Sequence, residues 1–184
     1  MKFTKLEIPD IIVCEPSVYY DKRGYFTETF RQDKLNTFLG YNVNFVQENE
    51  TKSSYGVLRG LHYQTAPQGQ TKLVRVNHGA VLDVVVDVRL GSPTFGKHLC
   101  VEISAENRRQ LFIPAGFAHG FVVLKDDTSF LYRVDNYYDS KSERGIIFND
   151  KNLGIDWQLS PELIKLSDKD SKHPLFKDAD YYNP

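Results

Sequence analysis

Long apolar runs are missing from this chain. No stretch is long enough to cross a bilayer as a helix. The opening Met1-Lys2-Phe3-Thr4-Lys5 carries charge with no apolar segment behind it, so no secretory leader is expected. Cysteine is scarce. Cys14 and Cys100 lie far apart and match no metal-binding spacing, which fits two thiols in a reducing cytoplasm better than a disulfide framework. An excess of either charge is missing too: 23 Lys and Arg against 24 Asp and Glu leave a net −1, with no basic footprint for nucleic acid. There is no Gly-rich dinucleotide fingerprint, so no redox nucleotide is expected. An alternating strand–helix pattern is also lacking, which argues against a doubly wound parallel sheet.

What the chain does have is aromatics, 12 Phe and 11 Tyr in 184 residues, at a length that suits one domain. Short apolar segments recur with Gly, Pro, Asn or Asp in most of the gaps. Strands are expected at Ile11–Val13, Tyr25–Phe30, Val43–Gln47, Val57–Gln64, Lys72–Asn77, Ala80–Arg89, His98–Ile103, Gln110–Ile113, Gly120–Leu124 and Phe130–Asp135. Such spacing points to an all-β sandwich or barrel. Ala80–Val88, nearly continuous Val and Leu broken by Asp83 and Asp87, reads as a central strand covered on both faces. A helix is expected from Arg31 to Leu39, ended by Gly40. Helix starts at Ser160-Pro161 and Ser167-Asp168 suggest a C-terminal helical flap over about 151–184, on a core of about 11–150.

Five places could carry chemistry. In Leu58-Arg59-Gly60-Leu61-His62-Tyr63-Gln64, His62 is either a satisfied core histidine or a reactive one, and Arg59 either a surface ion-pair partner or a ligand group. A regular strand would send these two to opposite faces, unless Gly60 marks a bulge that re-aims one of them. Lys72 alternates with Val74 and Val76, so it either snorkels from an edge strand or faces an anion inside a barrel mouth. Pro114-Ala115-Gly116-Phe117-Ala118-His119 resembles the second motif of the cupin superfamily of antiparallel jelly rolls. The His-x-His that completes a cupin metal site is missing, because Tyr63 and Gln64 follow His62, so no metal is expected. Tyr132, on one face with Phe130 and Val134, is a core aromatic or a phenol that meets a cavity. Asp170 with Ser167 resembles a capping box.

Taken together these segments resemble the dTDP-4-dehydrorhamnose 3,5-epimerase family, from about Ile11 to about Asp170. The most specific stretches are Val57–Gln64, Gln70–Val76, Asp83–Arg89, Ser92–Gly96 and Ile113–Phe121. The resemblance implies a jelly-roll barrel in a strand-exchanged homodimer. It also implies a cytoplasmic enzyme of rhamnose and cell-surface polysaccharide biosynthesis that uses no cofactor. Its substrate would be a dTDP-4-keto-6-deoxyhexose, inverted at C3 and C5. His62 would be the base, Asp170 its orienting acid, Lys72 the enolate partner and Tyr132 the proton donor on the other face. Arg59, His119, Gln47, Asn49, Glu143 and Lys169 would contact substrate, and Arg23 and Glu28 would reach the neighbouring subunit's site. Glu48 and Thr51 stand where the family often has Asp and Ser.

These residue types suit the reaction. Removing a proton beside a ketone needs a base that titrates near neutrality, a cation for the developing enolate and an acid on the opposite face. Other readings are an epimerase acting at C3 alone or C5 alone, a metal-dependent cupin enzyme, and a non-catalytic sugar-binding jelly roll.

Overall fold

The structure, a computed structural model, describes residues 1–183. Along the chain run β1 (Lys2–Lys5), β2 (Ile12–Glu15), β3 (Val18–Asp21), β4 (Gly24–Thr27), α1 (Gln32–Leu39), β5 (Gln47–Ser53), β6 (Leu58–Gln64) and β7 (Lys72–His78). They are followed by β8 (Ala80–Asp87), β9 (His98–Ser104), β10 (Gln110–Ile113), β11 (Phe117–Val123), β12 (Thr128–Val134) and β13 (Glu143–Gly145). One sheet has the order β1-β2-β10-β7-β12-β5, a second β13-β6-β11-β8-β9, and β3-β4 form a separate hairpin. Every ladder between these strands is antiparallel.

Side-chain alternation explains how the sheets stack. Val74 and Val76 of β7, Val81 and Val85 of β8, Leu111 of β10, Phe121 of β11 and Phe130 of β12 meet in one cluster drawn from both sheets. The opposite face of β8 (Leu82, Val84, Val86) packs with Leu58, Leu61 and Trp157, so every residue of this strand is buried, as its composition led us to expect. On the far side of the first sheet, Leu35 of α1 covers Ile12, Leu73 and Phe112. Gly40 ends α1 in the left-handed region at φ 79°, where its N–H returns to the Asn36 carbonyl.

Three expectations need correction. The strand expected at Val43–Gln47 lies instead at Gln47–Ser53, a polar segment whose residues alternate between half-buried and exposed up to a buried Ser53. Tyr25–Phe30 pairs only as far as Thr27. The C-terminal segment is not a helical flap: it carries single 3-10 turns at Pro161–Leu163, Asp170–Lys172 and Phe176–Asp178. Pro174 stops the second of these turns from running on, since the residue before a proline is pushed out of the helical region and His173 is extended. This segment lies along the outer face of the second sheet. Lys165 bridges to Val57, the Ile147 N–H reaches the Pro174 carbonyl, and the Asp150 carboxylate accepts the Phe176 N–H at 2.6 Å. Among the described residues, no helix is long and apolar enough to cross a membrane.

Candidate active site

Between the sheets, at one end, opens a cavity of about 500 Å³. Its wall is set by which residues alternate inward: Lys72 from β7, His119 and Phe121 from β11, and Phe130 and Tyr132 from β12. Strand β6 needs a device to contribute two. His119 pairs with His62 and Phe121 with Arg59, so β6 spends three steps where β11 spends two. The extra residue falls at Gly60–Leu61 and puts Arg59 and His62 on the same wall. Only glycine fits there, since a Cβ on Gly60 would stand 2.6 Å from the Gly120 Cα.

His62 Nε2 lies 2.6 Å from Asp170 Oδ1. The two residues are 108 apart in sequence, and the Val57–Lys165 bridge brings the C-terminal segment to the cavity rim. Asp170 also begins its turn with its N–H on Ser167 Oγ at 3.1 Å, so the capping arrangement and the contact to His62 coexist. Burial favours the neutral acid at Asp170. The imidazoles of His173 and His62 outweigh it and hold the carboxyl far below the ordinary carboxylate range. Asp170 is therefore an anion at neutral pH.

Lys72 sits on an interior strand, not an edge, and is 9% exposed. Its Nζ reaches the His62 carbonyl at 3.4 Å. Burial pushes its pKa down to about 8, against the pull of Asp83 and Glu143. Tyr132 is held above the ordinary phenol value by burial, with Arg59 and Asn49 pulling the other way, so at neutral pH it carries its proton. Arg59 donates to Ser53 Oγ through both Nε at 3.3 Å and Nη2 at 3.2 Å, which leaves its Nη1 side turned to a ligand. Glu143 accepts Lys169 Nζ at 2.5 Å and the Tyr138 hydroxyl at 2.7 Å, and these bonds outweigh burial to keep it ionised.

All four residues expected to act on the sugar, His62, Tyr132, Asp170 and Lys72, line this cavity, together with Arg59, His119, Glu143 and Lys169. Asn49 and Gln47 stand just behind: Asn49 is the cross-strand partner of Tyr132, and Gln47 donates to it at 2.8 Å. Arg23 and Glu28 are elsewhere in the single chain. Arg23 is clamped to Asp21 on the exposed hairpin, and Glu28 to Lys34 and Arg31.

Three participants were given no role from the sequence. Asp83, which breaks an apolar run and opens one of the family-like stretches, is fully buried and 2.9 Å from His119 Nε2. Its other oxygen has no hydrogen-bond partner among the described residues. Burial pushes Asp83 up and His119 down, so His119 resists protonation. Thr51 lines the cavity with a buried, unpartnered hydroxyl. His173, which nothing local singled out, lies edge-on to His62 with centroids 5.4 Å apart.

The family model described as dTDP-4-dehydrorhamnose 3,5-epimerase matches residues 5–178. A curated protein of that name from Shigella flexneri is 52% identical over 99% of both chains. The crystal structure of the Elizabethkingia anophelis enzyme of that name superposes with a TM-score of 0.93 at 48% identity, over 97% of each chain. That of the Legionella pneumophila dTDP-6-deoxy-D-glucose-3,5-epimerase, in complex with dTDP-4-keto-L-rhamnose, gives a TM-score of 0.95 at 44% identity. It covers all of this chain and 98% of its own.

Proposed function

The chain belongs to the dTDP-4-dehydrorhamnose 3,5-epimerase family, and from that premise we propose a role for each group around its cavity. The enzyme is an isomerase that inverts C3 and C5 of dTDP-4-keto-6-deoxy-D-glucose to give dTDP-4-keto-L-rhamnose. Both carbons flank the C4 ketone, so one set of groups serves both.

His62 takes the proton from the carbon. Asp170 fixes the imidazole tautomer and stabilises the imidazolium that forms. The electron pair moves into the carbonyl, and the Lys72 ammonium meets the charge on O4; a preorganised donor of this kind is worth about 3 kcal/mol. Tyr132 returns a proton from the other face and inverts the centre. Solvent then reprotonates the phenolate and takes the proton from His62. The reaction balances with no redox cofactor or metal. Arg59 and Lys169 supply cations for the diphosphate, with His119, Glu143, Gln47 and Asn49 as further substrate contacts.

The two antiparallel sheets around the cavity suit a single cupin-type jelly-roll domain spanning the chain, working in the cytoplasm. The β3–β4 hairpin exposes Tyr19, Tyr20, Tyr25 and Phe26, each more than half exposed. An aromatic patch of this kind suits burial against a second copy in a homodimer. That arrangement would carry Arg23 and Glu28 toward the partner's site.

The observation that carries the reading is the 2.6 Å His62–Asp170 contact on the wall that Lys72 and Tyr132 also line. Proton NMR of dTDP-4-keto-6-deoxy-D-glucose with chelator-treated protein in deuterated water tests it. Deuterium at both C3 and C5 is expected. Exchange at one carbon alone would make this a mono-epimerase, and no exchange would overturn the reading.

A further inference from the structure

Behind the cavity wall, His173, which the proposed reaction does not use, completes a trio with His62 and Asp170. The nitrogens of His62 and His173 and a carboxylate oxygen of Asp170 all lie within 4.8 Å of one another. His173 Nε2 stands 3.4 Å from the same Asp170 oxygen that His62 contacts. Its side chain is only 10% exposed, and Nε2 has no hydrogen-bond partner among the described residues. The ring is held in place: it packs flat over Gly145, where a Cβ would come within 2.3 Å of it. Nε2 faces the shared carboxylate from 3.4 Å without a well-formed hydrogen bond, a spacing that an ion taking both donors would fill.

We propose that His62, Asp170 and His173 form an inhibitory site for a divalent transition metal of the zinc class. Two imidazoles and a carboxylate are a donor set such ions take, and one that Mg²⁺ and Ca²⁺, which prefer all-oxygen shells, do not. Bonds of about 2.0–2.1 Å to each donor place neighbouring donors a little over 3 Å apart. The His173–Asp170 contact already has that spacing, and the His62–Asp170 contact must open by under about 1 Å. An ion on Nε2, the nitrogen that faces Asp170, forces the imidazole's one proton onto Nδ1 and so removes the lone pair that would take the substrate's proton. Inhibition thus rests on the base assignment of His62, whereas binding does not.

The test keeps the two apart. Chelator-stripped protein is dialysed against Zn²⁺ alone, and bound metal is measured; turnover is then followed with and without zinc, each variant against its own zinc-free rate. Wild-type protein should bind zinc stoichiometrically, lose turnover as it does so, and recover with EDTA. H173A should bind at least about tenfold more weakly and lose its zinc sensitivity by the same factor. H173F, which keeps a ring over Gly145 and removes the ligand, repeats the comparison if the smaller side chain harms the fold. No binding to wild-type protein, or equal binding by the variants, would overturn the site. Binding without inhibition would leave the site standing and remove His62 as the base.

Discussion

Two histidine–aspartate pairs face each other across the β6–β11 ladder, where His62 and His119 are direct cross-strand partners. Their chemistry is the same and their surroundings are not. His62 is 31% exposed on a bulged strand, and its carboxylate comes from a distant turn of the C-terminal segment. His119 is 8% exposed on a regular strand, and its partner Asp83, on the adjacent strand, is wholly buried. In the proposed reaction, the more exposed first pair exchanges protons with substrate and solvent. Burial, which pushes His119 down, keeps the second imidazole neutral, a group that contacts substrate without taking its proton in the proposed reaction. Environment, more than residue type, separates the proposed base from a binding group.

The largest expected effect sets the two pairs against each other. His62→Ala should cut kcat by about 10³–10⁴ while costing about 1 kcal/mol of stability or less, because a general base is lost from a half-open site. His119→Gln should cost turnover far less, and equal losses in steady-state assays would erase the distinction. Next comes the lysine between the pairs. Its folded pKa is depressed to about 8, so the ammonium is present below that pH and is lost as pH rises through it. The free enzyme's kcat/KM should therefore fall on an alkaline limb near pH 8, and Lys72→Met should lower kcat by about 10²–10³. A profile flat to pH 10 would remove Lys72 from the role. The smallest effect is on the fold. Asp83→Ala strands the His119 imidazole in the interior and should cost about 1–3 kcal/mol in chemical denaturation, more than His62→Ala does.

How much of this was legible in the sequence depended on whether the signal was local. Ala80–Val88 announced a central strand because burial on both faces demands continuous apolar residues. Gly60 flagged its bulge because one residue too many must be absorbed somewhere if Arg59 and His62 are to share a wall. Strand β5 was displaced because its sequence, Gln47-Glu48-Asn49-Glu50-Thr51-Lys52-Ser53, is polar throughout, and its place comes from pairing with β12. Asp170 was reached through family resemblance alone, since no local pattern tells that it will meet a residue 108 positions away. His173 and Asp83 went unassigned for the same reason: their partners come from other parts of the chain.

The proposed reaction divides labour between two faces of the sugar, with the His62–Asp170 pair removing protons and Tyr132 delivering them. Deuterium exchange at C3 and C5, followed by NMR beside net inversion in His62→Ala and Tyr132→Phe, tests it most directly. The account predicts that His62→Ala loses exchange and inversion together, while Tyr132→Phe keeps most of its exchange and loses inversion by about 10²-fold. Equal loss of exchange in both variants would contradict it.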